Sequence, residues 1–199
     1  MQPPEETQDG AEDPTPYGFK RITLANWKRM DEIIQFPSPV TEEHWVKACL
    51  TTQMGSSVPE EIAALFEVAR GSMIYGWFFY PVISLATEQC FRVLEAGARA
   101  RCDQLGLATQ RKKKNGEASE IGFSALINAL EKAGHIDQPM RQKWDAILFL
   151  RNDACHPKRQ TILPPGDALK TLAVTADFLN RLFPSPKAPP APSPNSFPA

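Results

Sequence analysis

The sequence predicts an all-α fold: a helical bundle with extra N-terminal helices and polar tails at both ends. Apolar residues recur at three- and four-residue spacing from Pro59 to Phe183, the period of a helix with one buried face. No segment alternates with period two for long, so strands are not required. Proline, glycine and small polar residues fall between the periodic stretches, where helices start and stop. At 199 residues, 42% hydrophobic and 23% charged, the chain can bury the core of one domain without disulfides or metals.

Leu24, Trp27, Met30 and Ile34 form a short amphipathic segment ending before Pro37. Thr41 is an N-cap, with Glu42 and Glu43 in the first turn and Trp45 and Cys49 on one face. Pro59, Glu60 and Glu61 open a third helix with the stripe Ile62, Leu65, Phe66 and Ala69, interrupted near Gly71 and Ser72. The longest helix starts or kinks at Pro81 and stops near Gly106. Its buried stripe is Val82, Leu85, Ala86, Cys90, Val93, Leu94 and Ala98; Ser84, Glu88, Arg92, Glu95 and Arg99 are its polar side. A loop follows with Arg111, Lys112, Lys113, Lys114, Asn115 and Gly116. Ser119 caps a helix that turns Phe123, Leu126, Ile127 and Leu130 inward and ends at Gly134. Asp137 and Pro139 open the next, running to about residue 154. The last helix follows Pro164, Pro165 and Gly166, with the stripe Leu169, Leu172, Ala173, Ala176, Leu179 and Phe183.

The tails differ from this pattern. Residues 1–16 hold five acids, four prolines and no Lys or Arg, the composition of a disordered arm. Residues 184–199 hold seven prolines among Ala and Ser, an extended polyproline-like tail that is either a bare extension or an SH3-type ligand. Between them, 17–183 carries 18 acids against 21 basic residues, a mild positive balance that permits an acidic partner without demanding one. The acidic, Pro-rich start is unlike a signal peptide. The most apolar run, Met73 to Ala86, is shorter than the ~20 residues that span a bilayer, so no membrane is expected and the location reads as cytoplasmic. Four scattered cysteines (Cys49, Cys90, Cys102, Cys155) read as reduced thiols. His44, His135 and His156 lack second ligands at metal spacing, and no metal or cofactor is expected.

One helix breaks its own pattern. After Met140, Trp144, Ile147 and Leu148, the next stripe positions are Arg151 and Cys155. Arg151 thus continues the core face, where it must snorkel, pair with a carboxylate or line a cleft. Asn152, Asp153 and His156 follow, and Pro157 disfavours helical geometry at His156. Arg151 suits a phosphate, His156 is the only side chain nearby of a type whose unperturbed pKa is close to neutrality, and Asn152 can orient either by hydrogen bonds. An ideal helix puts Arg151 and His156 about 140° apart, so they converge only through a distorted helix end or a second subunit.

The run Arg151-Asn152-Asp153-Ala154-Cys155-His156 resembles the signature of HEPN domains, helical bundles with Arg, four to six residues, then His, often with Asn after the Arg. The chain from about Tyr75 to Phe183 is similar to that bundle. It divides into an arm (1–16), an N-terminal helical segment (17–70), the HEPN-like bundle (71–183) and a Pro-rich tail (184–199). The resemblance implies a metal-independent endoribonuclease of toxin or phage-defence systems, working as a homodimer on RNA, with a cognate antitoxin or regulatory protein as a further partner. It implies His156 as general acid or base, Arg151 as stabiliser of the phosphorane charge and Asn152 as the positioning group.

Each residue also has a plainer reading. Arg151 pairs with an acid of a neighbouring helix, and His156 caps a helix C-terminus. Glu88 is either an additional site acid or the i,i+4 partner of Arg92, as Glu95 is of Arg99. Arg111 to Lys114 either steer RNA or form a solvated loop. Lys158 and Arg159 sit where they can contact phosphate. Cys155 is a weak candidate thiol nucleophile, since neighbours on a helix point apart. As a whole, the chain reads alternatively as a non-catalytic HEPN-like binding or dimerisation module, or as a helical adaptor acting through its Pro-rich tail.

Overall fold

The computed structural model describes residues 19–35, 39–113, 115–155 and 163–185. The expected arm, Lys114, His156, Lys158, Arg159 and the tail beyond Ser185 lie outside the described residues, as does the side chain of Cys155. Six helices carry the fold: α1 (Glu42–Thr51), α2 (Glu60–Tyr75), α3 (Pro81–Gln104), α4 (Phe123–Lys132), α5 (Gln138–Cys155) and α6 (Pro165–Leu182). The all-α expectation holds, with one addition. A short antiparallel hairpin, β1 (Gln110–Lys112) and β2 (Ala118–Glu120), stands between α3 and α4, with Arg111 opposite Ser119. Its strands are three residues long and almost wholly exposed, too short to leave a period in the sequence.

Helix α3 is the axis, packing against α2, α4, α5 and α6. Its buried side includes Ile83, Cys90, Leu94, Ala98 and Cys102. Gly97 is needed where α6 crosses: a Cβ there would meet Leu179 Cδ2 well inside van der Waals contact. The Thr175 side chain bonds Cys90 and Leu179 abuts Gly97, so α6 runs in the same direction as α3. Below this layer, Trp144 of α5 packs edge-on against Phe123 of α4, centroids 5.8 Å apart, and at 4.7 Å against Phe178 of α6.

Local signals explain several boundaries. Thr41 Oγ1 accepts from the His44 amide at 3.2 Å, the expected cap, and Trp45 and Cys49 are buried behind it. Asp137 Oδ1 accepts from the Met140 amide at 2.8 Å and opens α5. Gly134 ends α4 with φ +78°, which glycine adopts without a Cβ clash. Other expectations fail. Helix α2 runs through Gly71 and Ser72 to Tyr75, so glycine there lowers propensity without breaking the helix. Leu85 and Ala173 are exposed. Ser119 lies in β2, and Gly122 is the N-cap of α4.

The segment with Leu24 and Trp27 is not a helix. It is a run of turns and one 3-10 turn, Glu32–Gln35, with Leu24 97% exposed and only Ile34 of the expected stripe buried. A buried aspartate holds it instead. Asp31 Oδ2 accepts from the Tyr80 amide at 2.9 Å, while its own amide donates to the Trp77 carbonyl at 2.9 Å. A carboxylate at the start of α3 satisfies an orphan donor and favours the helix dipole. Phe19 stacks on the Tyr80 ring at 6.2 Å, and the Tyr80 hydroxyl donates to the Leu163 carbonyl just ahead of α6.

Candidate functional site at the C-terminal end of α5

Arg151 emerges from the core face of α5 against the polar side of α3. Its Nη2 lies 3.3 Å from Glu95 Oε2, and its Nη1 donates to Asn152 Oδ1 at 3.3 Å. The arginine side chain is 35% exposed and the glutamate 27%. That is the pairing with a neighbouring acid that a core-stripe arginine requires, yet the guanidinium is not sealed off. The pair sits within reach of solvent, where Coulomb attraction is screened and contributes little to stability.

Glu95 belongs to a longer chain of charges. Its Oε1 lies 3.7 Å from Arg99 Nη2, which also approaches Glu120 Oε2 at 3.4 Å. Arg99 further donates to the carbonyls of Thr109 at 3.2 Å and Ile121 at 3.0 Å, stapling both ends of the hairpin to α3. The order is Glu120, Arg99, Glu95, Arg151, Asn152. Because Arg99 is fixed by two backbone acceptors, Glu95 is presented to Arg151 by a rigid neighbour.

The expected site residues separate accordingly. Arg151 and Asn152 adjoin on α5, with Asn152 exposed. Glu88 is half-buried on α3 two turns before Glu95; it makes no ion pair with Arg92 among the described residues. Arg111, Lys112 and Lys113 are exposed on and beside β1, where Lys113 pairs with Glu117 at 3.6 Å. They project from the hairpin whose base Arg99 holds. Reading the sequence placed Glu95 only as the i,i+4 partner of Arg99, a pairing the structure shows, and missed it as the acid that meets Arg151. Its signal was the misplaced Arg151, which called for a carboxylate, but the register between α3 and α5 is not written in either helix.

Beside the charge network an open groove of about 640 Å³ runs between α2 and α3, with Pro59 and Ile62 on one wall and Arg92, Ala96 and Ala100 on the other. Glu95 and Arg99 border it. The three cysteines with described side chains, Cys49, Cys90 and Cys102, offer no nucleophile here. Burial pushes the Cys49 and Cys90 thiols up to about 12 and raises Cys102 as well, so they stay protonated and inert near neutrality. Among the described residues no group of three or more His, Cys, Asp or Glu is placed to hold a metal ion, and no helix is long and apolar enough to cross a membrane.

The molecule is thus an all-α domain built around one central helix, with an arginine–carboxylate network at the α3–α5 seam. The chain belongs to the family described as a domain of unknown function, DUF4145, which matches residues 84–190, more than half of its length. The match spans α3 from its first turn, the hairpin, and α4 to α6, and so contains the whole charge network. No curated protein and no solved structure matches the chain.

Proposed function

We propose that the C-terminal end of α5 is the site of a metal-independent endoribonuclease. The observation that carries this reading is Arg151: a cation on the core face of its helix, a third exposed, held by Glu95 and touching Asn152. A guanidinium so held keeps donors free for a phosphate and is oriented before substrate arrives. In the proposed reaction the 2′-oxygen of a ribose forms a bond to the adjacent phosphorus, and the bond from phosphorus to the 5′-oxygen breaks. The 2′-hydroxyl proton leaves to a base and the 5′-oxygen gains one, His156 serving one of these transfers. Arg151 stabilises the charge that builds on the phosphorane oxygens, and Asn152 positions the phosphate or the imidazole. Because Arg151 and His156 stand about 140° apart on an ideal helix, the site needs either a turn of the chain at Pro157 or a second copy of the chain.

A second reading has its own support. Phe149 is 72% exposed and Leu150 49%, two residues and one residue before Arg151. An apolar pair on the outer side of α5 suits a binding or dimerisation module without catalysis. Incubating the full chain with structured and single-stranded RNA in a chelator, beside Arg151→Ala and His156→Ala, separates the two. The nuclease reading expects cleavage by the wild-type chain and at least a hundredfold loss in either variant. Equal cleavage by all three, or none by the wild type, favours the module.

A further inference from the structure

We propose that the loop 20–30 seats on the surface of a bilayer bearing anionic lipids, with Ile22, Leu24 and Trp27 entering the headgroup layer. The loop stands on two feet at the turn from α2 to α3. Before it, Phe19 stacks on the Tyr80 ring at 6.2 Å. After it, the Asp31 carboxylate accepts from the Tyr80 amide and the Asp31 amide donates to the Trp77 carbonyl, both at 2.9 Å. Between the feet the chain closes on itself. Lys20 Nζ donates to the carbonyls of Asn26 at 3.1 Å and Arg29 at 2.7 Å. Asn26 Oδ1 accepts from the Thr23 amide at 2.9 Å, and Asn26 Nδ2 donates to the Arg21 carbonyl at 2.8 Å. These side-chain bonds hold a shape that leaves Leu24 97% exposed, Trp27 53% and Ile22 52%. The apolar tip is part of a fixed, convex loop.

The charge around the tip selects the occupant. Residues 20–29 hold four of the chain's 22 basic residues and no acid. Arg21, Lys28 and Arg29 are exposed, while the next acid, Asp31, is buried and turned to the Tyr80 amide. Apolar side chains ringed by cations match a membrane surface: its acyl boundary takes the first and its anionic headgroups attract the second. Trp27 has the amphipathic ring that favours this depth. Lys28 Nζ lies 4.8 Å from the centroid of that ring, the arrangement of a lysine that keeps its charge in the headgroups. Tyr75, 66% exposed and two residues before Trp77, stands at the same end of the bundle. Other occupants fit less well. A two-fold contact between copies would set these cations against one another. A nucleic acid would use the cations and the ring, but Ile22 and Leu24 gain nothing from a polyanion, and Lys28 already covers one ring face. A loop on a bilayer surface needs no spanning run, so it is compatible with the described helices, none of which is long and apolar enough to cross a membrane. The loop lies outside the family match, and its role does not depend on RNA cleavage.

Vesicle binding by the full chain at physiological salt tests it, with phosphatidylcholine alone or with phosphatidylserine added at about one part in five. The chain should bind the anionic vesicles at least tenfold more tightly than the neutral ones. Leu24→Asp, at a side chain almost wholly exposed, should weaken that binding at least tenfold with the melting profile of the wild type. Arg21→Ala should weaken it about fivefold, the share of one cation near an anionic surface. Lipids brominated in the acyl chain should quench Trp27, since Trp45, Trp77 and Trp144 are buried, and Trp27→Phe should abolish the quenching. Equal binding to both vesicles, undiminished binding in Leu24→Asp, or no quenching overturns the proposal. So does the absence of vesicle binding, including the case in which single-stranded RNA is held through Leu24 and Trp27 instead.

Discussion

Helices α3 and α5 differ sharply in what they bury. Over 24 residues α3 buries nine, spread along its whole length. Among the described side chains of its 18 residues, α5 buries Trp144 and Ile147, both before its last two turns. Beyond Ile147 come exposed Phe149 and Leu150, then half-exposed Arg151. The first helix is a structural axis; the second is anchored by one aromatic and offers its C-terminal end to solvent. Residues that stabilise the fold and residues available for chemistry lie on different stretches of the same bundle.

The largest test of this contrast compares two aromatics five residues apart on α5. Trp144→Ala removes the ring that links α4 and α6 and should cost about 3–5 kcal/mol, read by denaturant unfolding. Phe149→Ala should stay within about 0.5 kcal/mol of wild type; similar losses in both would end the contrast. On α3, Gly97→Ala should destabilise, because overpacking against Leu179 costs about 1–3 kcal/mol. The gain in helix propensity, up to about 1 kcal/mol, does not offset it. A stabilised variant would show that α6 shifts freely.

Alkaline pH probes the same core more gently. Cys49 and Cys90 ionise near 12 in the fold but near their ordinary value of about 8.5 when unfolded. The unfolded chain therefore loses these protons first, so their contribution is full below about pH 8.5 and declines as pH rises towards 12. Tyr80, pushed up to about 12 by burial and then by Asp31, adds to the loss above pH 10. A melting temperature that falls across this range, less steeply in Cys90→Ala, is the expected result. The smallest effect belongs to the exposed network: Glu95→Gln should change stability by about 0–1 kcal/mol while lowering any phosphate-dependent activity of Arg151.

The contrast also explains what the sequence made legible. α1 could be read because cap and stripe coincide, Thr41 with Trp45 and Cys49, and α4 from its stripe and Gly134, though not from its start, which Gly122 caps in place of Ser119. The misplaced Arg151 was visible because α5 is regular up to that point. The stretch from Leu24 to Ile34 misled because its apolar residues fall at helical spacing, while Asp31, held by the Tyr80 and Trp77 backbone, sets its path. Such a contact spans 49 residues and leaves no local trace. The hairpin was hidden by strands too short to alternate, and Glu95 by a register that only packing decides.

The most direct test of the account is the chemistry of the ends it predicts. RNA treated with the full chain in excess chelator should yield 2′,3′-cyclic phosphate and 5′-hydroxyl termini, with none produced by His156→Ala. A requirement for added divalent metal, 3′-hydroxyl termini, or the same products at the same rate from His156→Ala would contradict it.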